Sequence, residues 1–126
     1  MTTDQLAAAC GFRPLFLGEA REVTGVFCGD LVSWAMVRAK AGDAWCTVMG
    51  SENAVAAAVL SGCACVVLCH GAAPDAAMLR AAREHGMTLF AADLPEFEAG
   101  AAVAAAVRPR QNHGKAFRGA DSPCLT

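Results

Sequence analysis

The sequence predicts an α/β domain with a mainly parallel sheet, built from four successive strand–helix units and preceded by a short helix and an edge strand. Three observations carry this. Apolar runs of about five residues recur and end in Gly or Asp, and each is followed by a segment with helical periodicity. Gly42, Gly62 and Gly86 each fall immediately before the next apolar run, where a glycine readily stops a helix. Strands that alternate with helices in this way belong to βαβ units and a parallel sheet.

Taken in order, Thr3 to Cys10 reads as a short helix that Gly11 ends. Phe12 to Leu17 reads as a short strand, and Pro14, which has no N–H to give a ladder, puts it at a sheet edge. Gly18 to Glu22 is a polar loop. The first unit has the strand Val23 to Cys28, the turn Gly29-Asp30, and a helix Leu31 to Ala41 for which Asp30 is the expected N-cap. The second has the strand Ala44 to Met49, the turn Gly50-Ser51, and a helix Glu52 to Ser61 capped by Ser51. The third has the strand Cys65 to Cys69, the loop His70 to Ala73, and a helix from Pro74 to His85, with proline at the first helical position. The fourth has the strand Met87 to Ala91, Asp93 as a cap, and a helix from about Pro95 to Val107. Periodicity stops at Arg108. Residues 1–107 are therefore expected to form the domain and 108–126 a flexible polar tail.

The chain of 126 residues has the size of one domain. Its net charge of −2 creates no field that would draw in nucleic acid or an anionic membrane, so neither is expected as a partner. The clustered cations Arg108, Arg110, Lys115 and Arg118 all lie in the tail. The longest apolar run, Ala54 to Cys69, contains Ser61 and Gly62 and is shorter than the roughly 20 residues a membrane span needs. Seven cysteines are an odd number, and no export signal precedes them: Met1 to Gln5 carries no cationic side chain, and the apolar stretch up to Cys10 is too short. Free thiols in a reducing, cytoplasmic compartment are expected.

Parallel α/β sheets bind ligands beyond the carboxyl ends of their strands, where helix N-termini offer free N–H groups. Thr24, Gly25, Gly29, Asp30, Gly50, Ser51, Asn53, His70, Gly71 and Asp93 are assigned to that layer as ligand-binding residues. Asp30, Ser51 and Asp93 have a plainer role open to them as helix caps. The segment Cys63-Ala64-Cys65-Val66-Val67-Leu68-Cys69-His70 looks like a metal motif. On a strand, however, Cys65 and Cys69 stand roughly 13 Å apart at about 3.3 Å per residue, too far to share one zinc ion. They read as buried thiols. Cys28 and Cys69, both at strand ends, could still meet in space beside Asp30 and His70, and with His70 they are the metal or redox candidates. His70 is also a possible acid–base group, whereas His85 suits a helix C-terminus. No phosphate loop, dinucleotide fingerprint or nucleophile elbow occurs. No catalytic residue and no cofactor are predicted.

Arg21-Glu22-Val23-Thr24-Gly25-Val26, followed by Cys28-Gly29-Asp30-Leu31-Val32-Ser33, resembles the DRTGG domain family. Ala39-Lys40-Ala41-Gly42-Asp43-Ala44-Trp45, Asn53 to Leu60, Pro74-Asp75, and Ala92-Asp93-Leu94 with Phe97-Glu98 match in order. The resemblance spans about Leu6 to Val107. Val26 stands where the family has its second glycine, and Arg21-Glu22 only approximates its Asp-Arg. The resemblance implies a fold similar to the N-terminal domain of HPr kinase/phosphorylase. It also implies a stand-alone regulatory or accessory role, of the kind found beside CBS modules, phosphate acetyltransferase or iron-only hydrogenases, with a nucleotide or phosphorylated metabolite as ligand. The expected function is thus a non-catalytic module that binds a small anionic ligand and forms a homodimer, the Ala-rich helix Ala99 to Val107 supplying a close-packing face. A redox or metal accessory protein using the strand-end cysteines, and a small enzyme without a recognisable motif, are the alternatives.

Overall fold

The computed structural model describes residues 1–108. The expected tail, from residue 109 onward, lies outside the described residues. Five strands and five helices follow one another: α1 (Thr3–Cys10), β1 (Arg13–Phe16), β2 (Gly25–Cys28), α2 (Val32–Arg38), β3 (Asp43–Thr47), α3 (Glu52–Ser61), β4 (Cys65–Leu68), α4 (Ala76–His85), β5 (Thr88–Ala91) and α5 (Glu96–Val107). They build one sheet of order β1-β5-β4-β3-β2. The strands β2 to β5 are mutually parallel, and β1 pairs antiparallel with β5. The four strand–helix units and the edge strand are therefore as expected. Pro14 sits on that edge strand, beside a register irregularity between Pro14 and Phe16.

The sheet is covered on both faces, which explains the unbroken apolar runs of its central strands. Every residue of β3, β4 and β5 is buried, while β1 and β2 are partly exposed. Alternate side chains serve the two cores. Trp45, Val66, Leu68 and Leu89 pack with α2, α3 and α4, while Cys46, Cys65, Val67, Cys69 and Phe90 pack with α1 and α5. Since β2 to β5 are laid down in one direction, no pair of units winds away from a common point. The sheet thus lacks the central crevice that a reversal of strand order opens.

Several local expectations need correction. Gly62 and Gly86 cap α3 and α4 in left-handed conformation, as their positions imply. Gly42 does not cap α2, which ends at Arg38. Asp43 ends it early: its Oδ2 accepts the Lys40 N–H at 2.8 Å and holds residues 40–43 in a turn. Gly42, at φ 88°, instead makes the entry to β3 and accepts from the Thr24 N–H. Asp30 is not the cap of α2. Leu31 holds that position, because the Asp30 carboxylate has better partners across the sheet end, the Thr47 hydroxyl and the Val48 N–H, both at 3.0 Å. Ser51 occupies the N-cap of α3 without a side-chain bond. Pro74 precedes the helix, and Asp75 caps α4 by accepting from the Met78 N–H at 2.7 Å. Pro95, not Asp93, stands at the start of α5.

Candidate functional site

The ten residues assigned to a ligand layer divide between the two ends of the sheet. Thr24 and Gly25 lie at the amino end of β2, roughly 10–13 Å from Cys28 at about 3.3 Å per residue. There Thr24 is exposed and Gly25 half-buried, and both contact the entry to β3. A Cβ at Gly25 would come within 2.7 Å of Asp43 Oδ1, and one at Gly42 would run into the Thr24 hydroxyl. Gly29, Asp30, Gly50, Ser51, Asn53, His70, Gly71 and Asp93 follow strand ends at the carboxyl edge. Even these form two groups. Gly50 is pressed against the Ala73 carbonyl and accepts from the Asp75 N–H, which ties the turn before α3 to the loop before α4. His70, in left-handed conformation at φ 57°, donates its backbone N–H to Leu94 and ties the end of β4 to the approach of α5. Gly71 faces Asp93 there.

The second group surrounds Cys28. Parallel pairing sets Cys28 directly opposite Cys46, and Cys69 follows the end of β4 on the same side of the sheet. The turn after β2 is held from below by Trp45, whose indole N–H donates to the Gly29 carbonyl at 2.8 Å. Cys28 Sγ lies 3.6 Å from the Glu96 carbonyl oxygen, and α5 comes close because Gly100 faces that sulfur. The expected meeting of Cys28 and Cys69 therefore runs through a third thiol, Cys46, which is completely buried. All six described cysteines are free. Among the described residues, no three His, Cys, Asp or Glu side chains are placed to hold a metal ion.

The electrostatics of this corner are unusual for an exposed sheet edge. The Cys46 thiol donates to Cys28 and draws its pKa down to about 7, against burial and the neighbouring Asp30 charge. Cys46 itself is pushed strongly upward by its hydrogen bonds to Cys28 and Cys69 and by burial. Cys69 is lowered by the Cys46 hydrogen bond. Burial, then the Asp30 hydrogen bond and charge, raise Glu96 to about 7. Burial works against the charge of Asp30, but hydrogen bonds from Glu96, Val48 and Thr47 and the charge of His70 prevail and lower its pKa. Burial and the neighbouring Asp30 carboxylate thus favour the protonated form of Glu96, while Asp30 keeps its charge.

Two clefts run along the outer edge of β2. One, of about 500 Å³, is lined by Phe27, Cys28, Gly29, Asp30, Leu31, Trp34 and Arg38. The other, of about 420 Å³, is lined by Thr24, Gly25, Val26, Phe27, Arg38, Lys40, Ala41 and Asp43. They adjoin at Phe27 and Arg38. The Arg38 guanidinium carbon sits 5.1 Å from the centre of the Trp34 ring, a cation–π arrangement that holds both side chains over the groove. Among the described residues, no carboxylate pairs with the Arg38 or Lys40 side chain. Trp34, Arg38, Lys40, Cys46 and Glu96 were not legible as site residues from the sequence. The only local hint is the spacing of Trp34 and Arg38, four residues apart just after the Gly29-Asp30 turn.

No protein-family model matches the chain, and no curated protein matches it in sequence. Its fold is similar to that of the CBS and DRTGG domains of the regulatory region of Clostridium perfringens pyrophosphatase, a structure complexed with the activator diadenosine tetraphosphate. The TM-score is 0.65 at 13% identity, over 81% of this chain and 45% of that chain. This chain thus spans less than half the length of that neighbour, and what the two share at this identity is the fold.

Proposed function

We propose that the protein is a non-catalytic regulatory module of the DRTGG kind that binds a small phosphorylated ligand, of the nucleotide class, in the groove along β2. The observation that carries this is a stacking surface beside two cations that no carboxylate pairs with among the described residues, in two adjoining clefts. The face of Trp34 suits a base, and the guanidinium of Arg38 with the ammonium of Lys40 suits phosphate. The acidic corner of Asp30 and Glu96 lies at the far end, so the phosphates belong at the Lys40 end and the base near Trp34. The similar fold of a regulatory region that binds a dinucleoside polyphosphate is compatible with this reading. A cytoplasmic location and a homodimer belong to the proposal. The Gly100 face of α5 is already buried against β2 and Cys28, so any dimer contact through that helix uses its opposite side, at Ala101 and Ala105. A link to hydrogenase or signalling systems rests on the sequence resemblance alone.

The test is thermal stabilisation and calorimetry with diadenosine tetraphosphate, ATP, ADP and acetyl phosphate. At a hundredfold excess over Kd, binding adds about 2.7 kcal/mol to stability. Arg38→Ala and Trp34→Ala are both on an exposed helix face and are expected to weaken binding at least tenfold with the fold intact. Absence of stabilisation by all four compounds at millimolar concentration refutes the proposal.

A further inference from the structure

We propose that Cys28 and Cys46 form a hydroperoxide-oxidisable thiol pair, in which Cys28 is oxidised first and Cys46 closes a disulfide between β2 and β3. The inference is independent of the ligand reading above. It stands on register, burial and access. Cys28 and Cys46 are partners on adjacent parallel strands and point to the same face of the sheet. Neighbouring strands lie about 4.8 Å apart, inside the 4.4–6.8 Å range of Cα separations that a disulfide spans. Cys69 is the competing partner for Cys46. Because Cys46 pairs with Val67, Cys69 lies two residues further along, which makes the Cα separation about 8 Å from strand spacing and rise. That exceeds the roughly 7 Å limit for bridging without backbone movement. Cys65 and Cys63 lie near the amino end of β4, remote from this corner.

Access separates the roles. Cys28 is exposed on the edge strand and lines the cleft beside Asp30, whereas Cys46 is completely buried beneath it. An oxidant in solution therefore meets Cys28 first. The hydrogen bond from Cys46 that favours the Cys28 thiolate supplies the nucleophile at neutral pH. The Cys28 thiolate attacks one oxygen of hydrogen peroxide and the O–O bond breaks. Cys28 becomes a sulfenic acid, and hydroxide leaves and takes up a proton as water. The Cys46 sulfur then attacks the Cys28 sulfur and the S–O bond breaks. The departing hydroxyl takes the Cys46 proton as a second water. Two thiols have supplied the two electrons that reduce the peroxide, and a dithiol reverses the change by exchange.

The experiment uses the full-length reduced protein, treated with hydrogen peroxide, blocked with an alkylating agent and mapped without reduction. The expected result is the loss of two free thiols, a peptide pair joined through Cys28 and Cys46, and full reversal by dithiothreitol. Cys28→Ala should slow thiol loss at least tenfold. Cys46→Ala should leave Cys28 as a sulfenic acid that dimedone traps, and a melting curve of that variant checks that it is folded. Because the wild-type map is decisive alone, a poorly folded Cys46 variant does not remove the test. Cys28 surviving at peroxide concentrations that oxidise free cysteine overturns the proposal. So does a disulfide from Cys28 to any cysteine other than Cys46.

Discussion

Replacing Gly100 by alanine sets two forces of similar size against each other. Gly100 lies in the interior of α5, where glycine costs about 0.8–1.0 kcal/mol relative to alanine through its backbone freedom. On helix propensity alone, Gly100→Ala should stabilise by about that amount. A Cβ on Gly100, however, would stand 2.6 Å from Cys28 Sγ and 3.8 Å from Val26 Cγ2. The contact with Val26 is ordinary. The contact with sulfur is not, so either Cys28 rotates away from the Cys46 thiol or α5 lifts from β2. Overpacking of this kind costs about 1–3 kcal/mol. The net expectation is that Gly100→Ala destabilises by about 0–2 kcal/mol. Cys28→Ala removes the obstructing sulfur at an exposed position and should cost little alone. In that background Gly100→Ala should recover the propensity gain of about 1 kcal/mol. The cycle therefore predicts a coupling of about 1–3 kcal/mol between residues 100 and 28. Urea unfolding of the four proteins, with equal m-values, measures it. A wild-type background in which Gly100→Ala stabilises by a full 1 kcal/mol, with no coupling, would refute the close approach of α5 to Cys28.

The raised pKa of Glu96 predicts a pH dependence. Folded Glu96 holds its proton to about pH 7, whereas an unfolded glutamate ionises near ~4.3. Between about pH 4.5 and 7 only the unfolded state gives up the proton, so this group lowers stability as pH rises through that window and adds no further change above it. Solvent screening of this partly exposed side chain limits the effect to about 1 kcal/mol. Glu96→Gln should flatten the urea midpoint between pH 5 and 7, and an unchanged slope speaks against a raised Glu96 pKa in the folded state. The two helix starts should respond differently to alanine. Asp75→Ala loses a cap bond to Met78 and should cost about 1 kcal/mol, while Ser51→Ala, which loses none, should cost under about 0.5 kcal/mol; equal losses in denaturant melts contradict the assigned caps. For the proposed homodimer, sedimentation at micromolar concentration should show twice the chain mass, and monomer alone removes it from the proposal.

Much of the architecture was legible because it is local. The periodicity of Glu52–Ser61 and Ala76–His85, with glycines 62 and 86 in left-handed conformation after them, specifies two helices and their ends from neighbours a few residues away. Pro14 announces an edge strand because it lacks a donor, and the run Cys65–Leu68 announces a strand buried on both faces. At one expected cap a distant partner outbid a local one. Asp30 looks like a cap in the sequence, but Thr47 and Val48 are brought to it by the pairing of β2 with β3. The site depends still more on such partners. Thr24 and Asp30 are six positions apart by number, yet β2 carries them to opposite ends of the sheet. Cys28 and Cys46 are eighteen apart by number and directly opposed. The sequence alone thus determined which segments become strands and helices, since caps, turns and periods act over a few residues. Only the tertiary structure decided strand order and register, and with them which side chains share the β2 groove and which two thiols face each other, because those contacts join segments whose separation along the chain carries no local signal.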